Sequence, residues 1–416
     1  MENLTLCVPR ASSKKNPHKP VLVRSELPDI LEENYVLIKV DKFGFSANNV
    51  TYQALGEAPH FRYFDFHPAP RSGTVSPETH GVIPVWGFGT IVRSSHPRIQ
   101  RGERVYGYFG PAKYLLIPVS ASDVNRHNFH VPRPHLPADR RPYNQVIRCA
   151  ADSQYDSSPL AEDLTMLYRP LFWTAFWCEN WLDAFSYRGA DSFLISSASA
   201  KTAFCLAYLL GKRRKRSSRA IKIVGLTSER NLAFTRNLHL YDAVVHYDEL
   251  ETSKELESSV GKWLYIDVAG NDRLNERISK HFADKKSLVA GVQLGLTNLS
   301  PSAPAASSMR FTTNTSLSTP EAAKDSFVME QFFMPEWLAV QRKRLRVDEI
   351  TAMQAHAWRE LMRDGREWVR IVHVHGGPAI ERAYREVAER GTDPTIGMVW
   401  SLWDGPEFDR RESSNL

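Results

Sequence analysis

Two short segments hold the residue types that could do chemistry. The first is Leu194-Ile195-Ser196-Ser197-Ala198-Ser199-Ala200-Lys201-Thr202-Ala203, which reads as the turn between a short buried strand (Ser192–Ser196) and an apolar helix (Ala200–Gly211). A turn that brings backbone up to a pyrophosphate and aims a helix N-terminus at it is usually glycine-rich. Here every glycine is missing. The residues Ser196–Ala200 that stand in for glycine are all small, however, and Ser197, Ser199 and Thr202 bring hydroxyls that can donate to a phosphate, with Lys201 adding a positive charge. Ser and Thr are also favoured helix caps, so an ordinary capped helix remains the competing reading.

The second segment follows the next strand: Val224-Gly225-Leu226-Thr227-Ser228-Glu229-Arg230-Asn231. A site for a free ribose diol usually places Asp or Glu at such a strand end. Thr227, Ser228 and Arg230 stand there instead, and a guanidinium with two hydroxyls suits a 2′-phosphate better. A Ser228 cap followed by surface charge is the plainer alternative.

The elements that must position these segments are legible from periodicity. Residues 20 to 120 read as short strands broken by Gly and Pro, among them Tyr35–Val40, Val85–Val92, Arg104–Tyr108 and Tyr114–Val119. Residues 125–143 look like loop, and 156–188 like a helix with a dense apolar face that includes Phe172, Trp173, Phe176, Trp177 and Trp181. That group reads as helix core or as the wall of an apolar cleft. After Ala190, strands at Ser192–Ser196, Ala220–Gly225, Ala243–His246, Trp263–Val268 and Ser287–Val292 alternate with helices, which predicts βαβ units and a parallel sheet. Residues 228–237 read as one of those helices, 297–320 as loop, and 336–363 as one long helix. The tail reads as strand, helix and strand.

Composition narrows the class. The chain has 416 residues, 42% of them apolar and 24% charged, with a formal net charge of +6, as expected of a globular protein of two or three domains. The mild basic excess is compatible with an anionic ligand. No aromatic-interleaved basic groove argues for nucleic acid. Cys7, Cys149, Cys178 and Cys205 form no CxxC pair. No GxSxG elbow supports a serine hydrolase. His373 and His375 share a strand face but have no third partner, so no metal site is expected. The N-terminus lacks a signal-peptide core and no apolar run could span a membrane, so a cytoplasmic protein is expected.

Several stretches carry a family resemblance. Val40–Gly56 (VDKFGFSANNVTYQALG), Tyr241–Asp248 (YDAVVHYD), Tyr265–Asn271 (YIDVAGN), Ser287–Gly291 and the tail Gly377–Leu402 resemble the medium-chain dehydrogenase/reductase superfamily, especially its zinc-independent quinone-oxidoreductase and enoyl-reductase branch. More narrowly, SANNVTY and VGLTSERN resemble a poorly characterised, divergent subgroup. The zinc-branch signature is absent: in THGVIPVWGFG (Thr79–Gly89) no Glu follows His80-Gly81.

The resemblance implies an α/β protein: a β-rich GroES-like domain (1–160), a Rossmann-like doubly wound parallel-sheet domain (161–335), and a C-terminal segment (336–416) returning to the first. It places Ser46, Asn49 and Tyr52, with Asn48 as an extra amide, near the nicotinamide of NADP(H). There Tyr52 or Asn48 could stabilise an enolate and Tyr52 could return a proton. The bland alternative is that these side chains shape a turn and fill a wall. Tyr247 would lie against the adenosine 2′-phosphate, and Gly270 and Gly291 would border the cofactor. The implied activity is NADPH-dependent reduction of a carbonyl-conjugated double bond or quinone in a small apolar molecule. A redox-neutral isomerase or cyclase and a non-catalytic ligand-binding protein are the alternatives. A homodimer is compatible with the family, and the run Lys212–Arg219 (KRRKRSSR), read as a basic loop, could attract an acidic carrier.

Overall fold

A computed structural model describes residues 1–59, 61–217, 220–257, 261–283, 287–294 and 329–405. They form two compact units, one from 1–167 and 352–405, the other from 168–294 and 329–351.

The first unit is β-rich. Its strands are β1 (Glu2–Pro9), β2 (Val21–Glu26), β3 (Tyr35–Phe45), β4 (His80–Gly81), β5 (Val85–Ser94), β6 (Arg104–Phe109), β7 (Tyr114–Pro118), β8 (Asn128–His130) and β9 (Gln145–Arg148), with the short helix α1 (Ala47–Ala54) after β3. The helix α2 (Pro159–Ala184) opens in this unit. The runs of β-branched and aromatic residues between Gly and Pro punctuation favour such a pleated, half-buried arrangement. Among the described residues β2-β1-β4 make a three-stranded sheet. A larger sheet has the order β16-β17-β3-β5-β6-β9-β8, where β16 is Arg370–His375 and β17 is Ile396–Ser401, and β7 pairs with β3. The tail therefore completes the first unit: β17 pairs antiparallel with β3, and Phe45 stacks on Trp400 at 4.0 Å.

An ion cluster joins the opening of α2 to this sheet. Arg104 forks onto Glu162 at 2.9 and 2.7 Å and also meets Asp41, and Lys42 Nζ reaches Asp163 at 2.7 Å. His373 meets the same Asp163 at 2.8 Å, so the imidazole pair read from the sequence is tied to a structural carboxylate.

The second unit is built on one parallel sheet. Its strands are β10 (Ser192–Ile195), β11 (Lys222–Thr227), β12 (Ala243–His246), β13 (Trp263–Asp267), β14 (Leu288–Gln293) and β15 (Met329–Gln331), in the order β12-β11-β10-β13-β14-β15. Numbered along the chain this is 3-2-1-4-5-6, the doubly wound order whose direction reverses between β10 and β13. The central strands β10 and β13 are buried at every position, as a sheet covered on both faces requires. The covering helices are α3 (Lys201–Ser217), α4 (Leu232–Asn237), α5 (Lys254–Glu257) and α6 (Asp272–Ala283). In α6 the residues Leu274, Ile278 and Phe282 recur every four positions and are the buried face. The helices α7 (Met334–Arg344), α8 (Val347–Asp364) and α9 (Gly377–Arg390) follow.

Several sequence expectations are corrected. The basic run is no loop: α3 continues to Ser217, where Arg213 pairs with Glu179 and Asp183, Arg214 pairs with Asp242, and Lys212 lies over the Tyr208 ring. Residues 212–217 extend α3, and the charges of Arg213 and Arg214 are paired within the unit; Ser218 and Arg219 lie outside the described residues. The single helix expected at 336–363 is two, α7 and α8, separated at Leu345, whose backbone is extended. The helix expected from 228 begins as a 3-10 turn over Glu229–Asn231, and α4 starts only at Leu232. Residues 125–143 contain β8 and a 3-10 helix from Ala138. A sixth parallel strand, β15, was not read from the sequence, and the loop read at 297–320 lies outside the described residues. Phe172, Trp177 and Trp181 are buried as helix core.

Close strand approach makes one glycine in the first unit indispensable. A Cβ at Gly89 would stand 2.6 Å from the Lys39 carbonyl oxygen and 2.6 Å from Ile38 Cγ2, beside two register shifts between β3 and β5. Gly89→Ala is expected to destabilise the protein by about 1–3 kcal/mol through overpacking, measured as a lowered urea midpoint.

Candidate functional site

Each unit carries one constellation. In the second, the chain leaves β10 at Ile195 and enters α3 at Lys201 through Ser196–Ala200. Ser196 Oγ donates to Asp267 Oδ1 at 3.1 Å and accepts from Val268 N–H (2.9 Å) and Ala269 N–H (3.1 Å). Asp267 also accepts from Gly270 N–H at 2.9 Å and from Asn275 Nδ2 at 3.0 Å. Ser196 and Asp267 are both fully buried, and burial pushes the Asp267 carboxyl pKa up while these hydrogen bonds pull it down. The knot ties the ends of β10 and β13 together where the strand order reverses.

Ser197 adopts φ 48°, the left-handed region that glycine occupies more easily. Its N–H donates to the Tyr247 hydroxyl at 2.8 Å, and the Ala198 carbonyl accepts from Tyr241 Oη at 2.8 Å. Asn231 Nδ2 donates to Ser199 Oγ at 3.0 Å. The missing glycine lies in the neighbouring strand: a Cβ on Gly225 would stand 2.7 Å from Ala198 Cβ. The turn therefore packs closely on β11 because β11, not the turn, lacks a side chain there.

The other predicted residues are distributed unevenly. Lys201 and Thr202 open α3 and are half-buried, and the first turn carries no acidic residue. Arg230 is exposed just beyond β11, and Ser228 caps the 3-10 turn that contains it. Thr227, by contrast, is 1% exposed inside the β11–β12 ladder. Gly270 has φ 66° and serves the Asp267 knot. Gly291 lies within β14 opposite Tyr265, two residues before the strand ends. Tyr247 sits on the turn itself, and burial raises its pKa, keeping the phenol protonated.

In the first unit, Ser46 and Asn49 are positioning groups. Ser46 N–H donates to Asn49 Oδ1 at 2.9 Å, half of a capping box on α1, and Asn49 Nδ2 donates to the Pro84 carbonyl at 3.1 Å. With both ends of its buried amide engaged, Asn49 shapes the loop. Asn48 and Tyr52, one helical turn apart, meet: Asn48 Nδ2 donates to Tyr52 Oη at 2.8 Å. The Tyr52 oxygen thus accepts, and its own proton is turned elsewhere.

Tyr52 lies in an aromatic cluster that the sequence did not reveal. Its ring is 4.3 Å from that of Tyr63 and 5.9 Å from that of Tyr108, which in turn packs on Phe66, Trp86 and Tyr143. These rings come from separate segments of chain, so no local spacing betrays them. Burial pushes the Tyr52 pKa well up. Behind them His67 Nε2 lies 3.0 Å from the Tyr108 carbonyl, and burial with the neighbouring Arg133 charge lowers its pKa to about 3. His80, also buried, has Nδ1 2.8 Å from Thr79 Oγ1. Among the described residues no group of three or more His, Cys, Asp or Glu side chains could hold a metal ion, and no helix is long and apolar enough to cross a membrane.

The model of a family described as "Protein of unknown function (DUF2855)" matches residues 43–393. The chain belongs to this family. No curated protein matches this DUF2855 member in sequence. Solved structures share its fold over nearly their whole length. CurA from Vibrio vulnificus in complex with NADPH has a TM-score of 0.58 and 12% identity, covering 98% of this chain and 100% of its own. A point mutant of Etr1p in complex with NADP and crotonyl-CoA has a TM-score of 0.54 and 12% identity, covering 96% and 99%. The mycobacterial protein Rv1454c complexed with NADPH has a TM-score of 0.53 and 14% identity, with the same coverages. This likeness establishes that the DUF2855 chain shares the fold of these proteins.

Two outcomes are expected from this geometry. Ser196→Ala leaves two buried N–H groups without an acceptor and is expected to cost on the order of 2–4 kcal/mol, read by urea denaturation. For His67, an ordinary pKa of 6.5 falls to about 3 on folding. Its contribution to stability is fully present above pH 6.5 and is lost as pH falls towards 3, because only the unfolded chain takes up the proton. The slope is about 1.4 kcal/mol per pH unit in that window. His67→Gln is expected to flatten the stability profile between pH 7 and 5, followed by denaturation at successive pH values.

Proposed function

We propose that the protein is an NADPH-dependent, zinc-independent reductase of a carbonyl-conjugated double bond or quinone in a small, largely apolar molecule. The observation that carries this reading is the Ser196–Ala200 turn at the reversal point of a 3-2-1-4-5-6 sheet, opening into a helix whose first turn has Lys201 and no acid. The residues fit a diphosphate. Ser197, Ser199 and Thr202 offer hydroxyls, and Tyr247, whose oxygen accepts the Ser197 N–H, brings a phenol to the same turn. Arg230 and Ser228 stand where a 2′-phosphate rather than a bare diol would be favoured. Three solved proteins of the same fold were crystallised with NADPH or NADP, one of them also with crotonyl-CoA.

When bound, the nicotinamide would supply the hydride. The chain's own part is to bind, orient and stabilise charge. Tyr52, held by Asn48 and kept neutral by burial, is suited to donate a hydrogen bond to the oxygen of an enolate. Its raised pKa makes it a better donor than acid, so charge stabilisation is its proposed role. Asn49 and Ser46 hold α1 in place.

One observation favours a second reading, redox-neutral chemistry or plain ligand binding on the same scaffold: the Ser197 N–H, a donor in the turn, is already taken by Tyr247. Titration with NADPH and NADH, followed by nicotinamide fluorescence and thermal stability, separates the two. The expected result is NADPH-selective binding weakened roughly ten-fold by Arg230→Ala, about the worth of one charge-assisted contact. With an enone or quinone substrate, Tyr52→Phe is expected to lower kcat by about 10²–10³ with cofactor affinity retained. Turnover without any nicotinamide, or no binding of either nucleotide, moves the reading to the second.

A further inference from the structure

The wall around Tyr52 contains a buried cation with no anion. Arg133 is 8% exposed. Its Nε donates to the Phe66 carbonyl at 2.9 Å and its Nη1 to Asn144 Oδ1 at 2.9 Å, both neutral groups. Its Nη2 lies 3.5 Å from His67 Nε2. That nitrogen is also 3.0 Å from the Tyr108 carbonyl, which can only accept. His67 Nε2 therefore carries the hydrogen and has no lone pair for Arg133. The Nη2 group is left without an acceptor, and among the described residues no carboxylate pairs with this guanidinium. Burial lowers the Arg133 pKa only to about 10, so it stays charged at neutral pH.

Further donors converge on the same wall. Tyr108, 2% exposed, has a hydroxyl without a hydrogen-bond partner, and so does the buried Trp86 Nε1. Both influence the Tyr52 phenol without reaching hydrogen-bond geometry, and the Tyr108 phenol acts electrostatically on Arg133. The Arg133 guanidinium lies over Phe66, 5.3 Å from its ring centroid, and Phe66 packs edge-on against Tyr108 at 5.2 Å. Three unsatisfied donors, the Tyr108 hydroxyl, Trp86 Nε1 and the Nη2 of the buried cation itself, line this aromatic wall. Buried donors without acceptors are costly and rare, and an anion with acceptor oxygens satisfies them together.

We propose that Arg133 and Tyr108 receive the carboxylate of a small carboxylic acid substrate whose apolar body packs on Phe66, Trp86 and Tyr143. The proposal rests on the reading of Tyr52 as the substrate-facing donor and adds the substrate's charge. Arg133 is then a specificity residue, because a planar guanidinium matches a carboxylate in two-point geometry.

The test is isothermal titration of the full chain, without nucleotide, with trans-cinnamate and octanoate against neutral cinnamamide and octanamide. The acids are expected to bind at least ten-fold more tightly than the amides. Arg133→Gln is expected to abolish that preference, Tyr108→Phe to weaken it several-fold, and Arg133→Lys to keep part of it. Circular dichroism verifies folding, and Tyr108→Phe, which removes one hydroxyl, carries the test should Arg133→Gln not fold. Equal affinity for acid and amide, no binding of either, or a preference that survives the substitutions overturns the proposal. With nucleotide absent, an acid preference in a protein that binds no NADPH sinks only the reductase reading, and its loss in a protein that binds NADPH sinks only this one.

Discussion

A buried serine–aspartate knot sets the geometry of the second unit. Ser196 and Asp267 end β10 and β13, the two central strands between which the sheet changes direction. Helices depart to opposite faces at such a point, and the gap has to be closed by groups that satisfy the outgoing backbone. Here one hydroxyl accepts two amides and one carboxylate accepts a third. The following turn can then rise towards the helix N-terminus with Ser197 in a left-handed conformation and Tyr247 on its amide.

The same unit fills the turn with Ser and Ala instead of glycine and makes room for them in the neighbouring strand. A turn without glycine needs space, and Gly225 in the adjacent strand provides it. Tyr241 and Asn231 then brace the turn from the side, through the Ala198 carbonyl and the Ser199 hydroxyl. The Ser197 amide is engaged by Tyr247, and the serines add side-chain hydroxyls beside the turn's backbone.

In the first unit the governing fact is desolvation. Tyr52, Tyr63 and Tyr108 all have pKa values pushed up by burial, and His67 has its own pushed down. Each of these groups is held in its neutral form, while two buried guanidiniums stand beside them, Arg133 next to His67 and Arg140 near Tyr63. Neutral hydrogen-bond donors beside buried cations favour an anion or a developing oxyanion over a cation or a metal.

Local sequence was enough for the elements whose signal is local. The alternation of apolar strands and helices after Ala190 specified a parallel sheet, because central strands buried on both faces are nearly all apolar, as SFLI and WLYID are apart from Ser192 and Asp267. Asn48 and Tyr52 were singled out through the family resemblance alone, and their hydrogen bond across one turn of α1 came from the structure. Only the tertiary structure decided what long-range packing controls. It buried Thr227 inside a ladder, turned Tyr247 onto the Ser197 amide, and assigned Asp267 to a knot with a residue 71 positions earlier. It also gathered Tyr63, Phe66, Trp86, Tyr108, Arg133 and Tyr143 around Tyr52. Periodicity reports which face of an element is apolar, but the partner of a buried polar group is chosen by how distant segments pack, and no spacing along the chain encodes that.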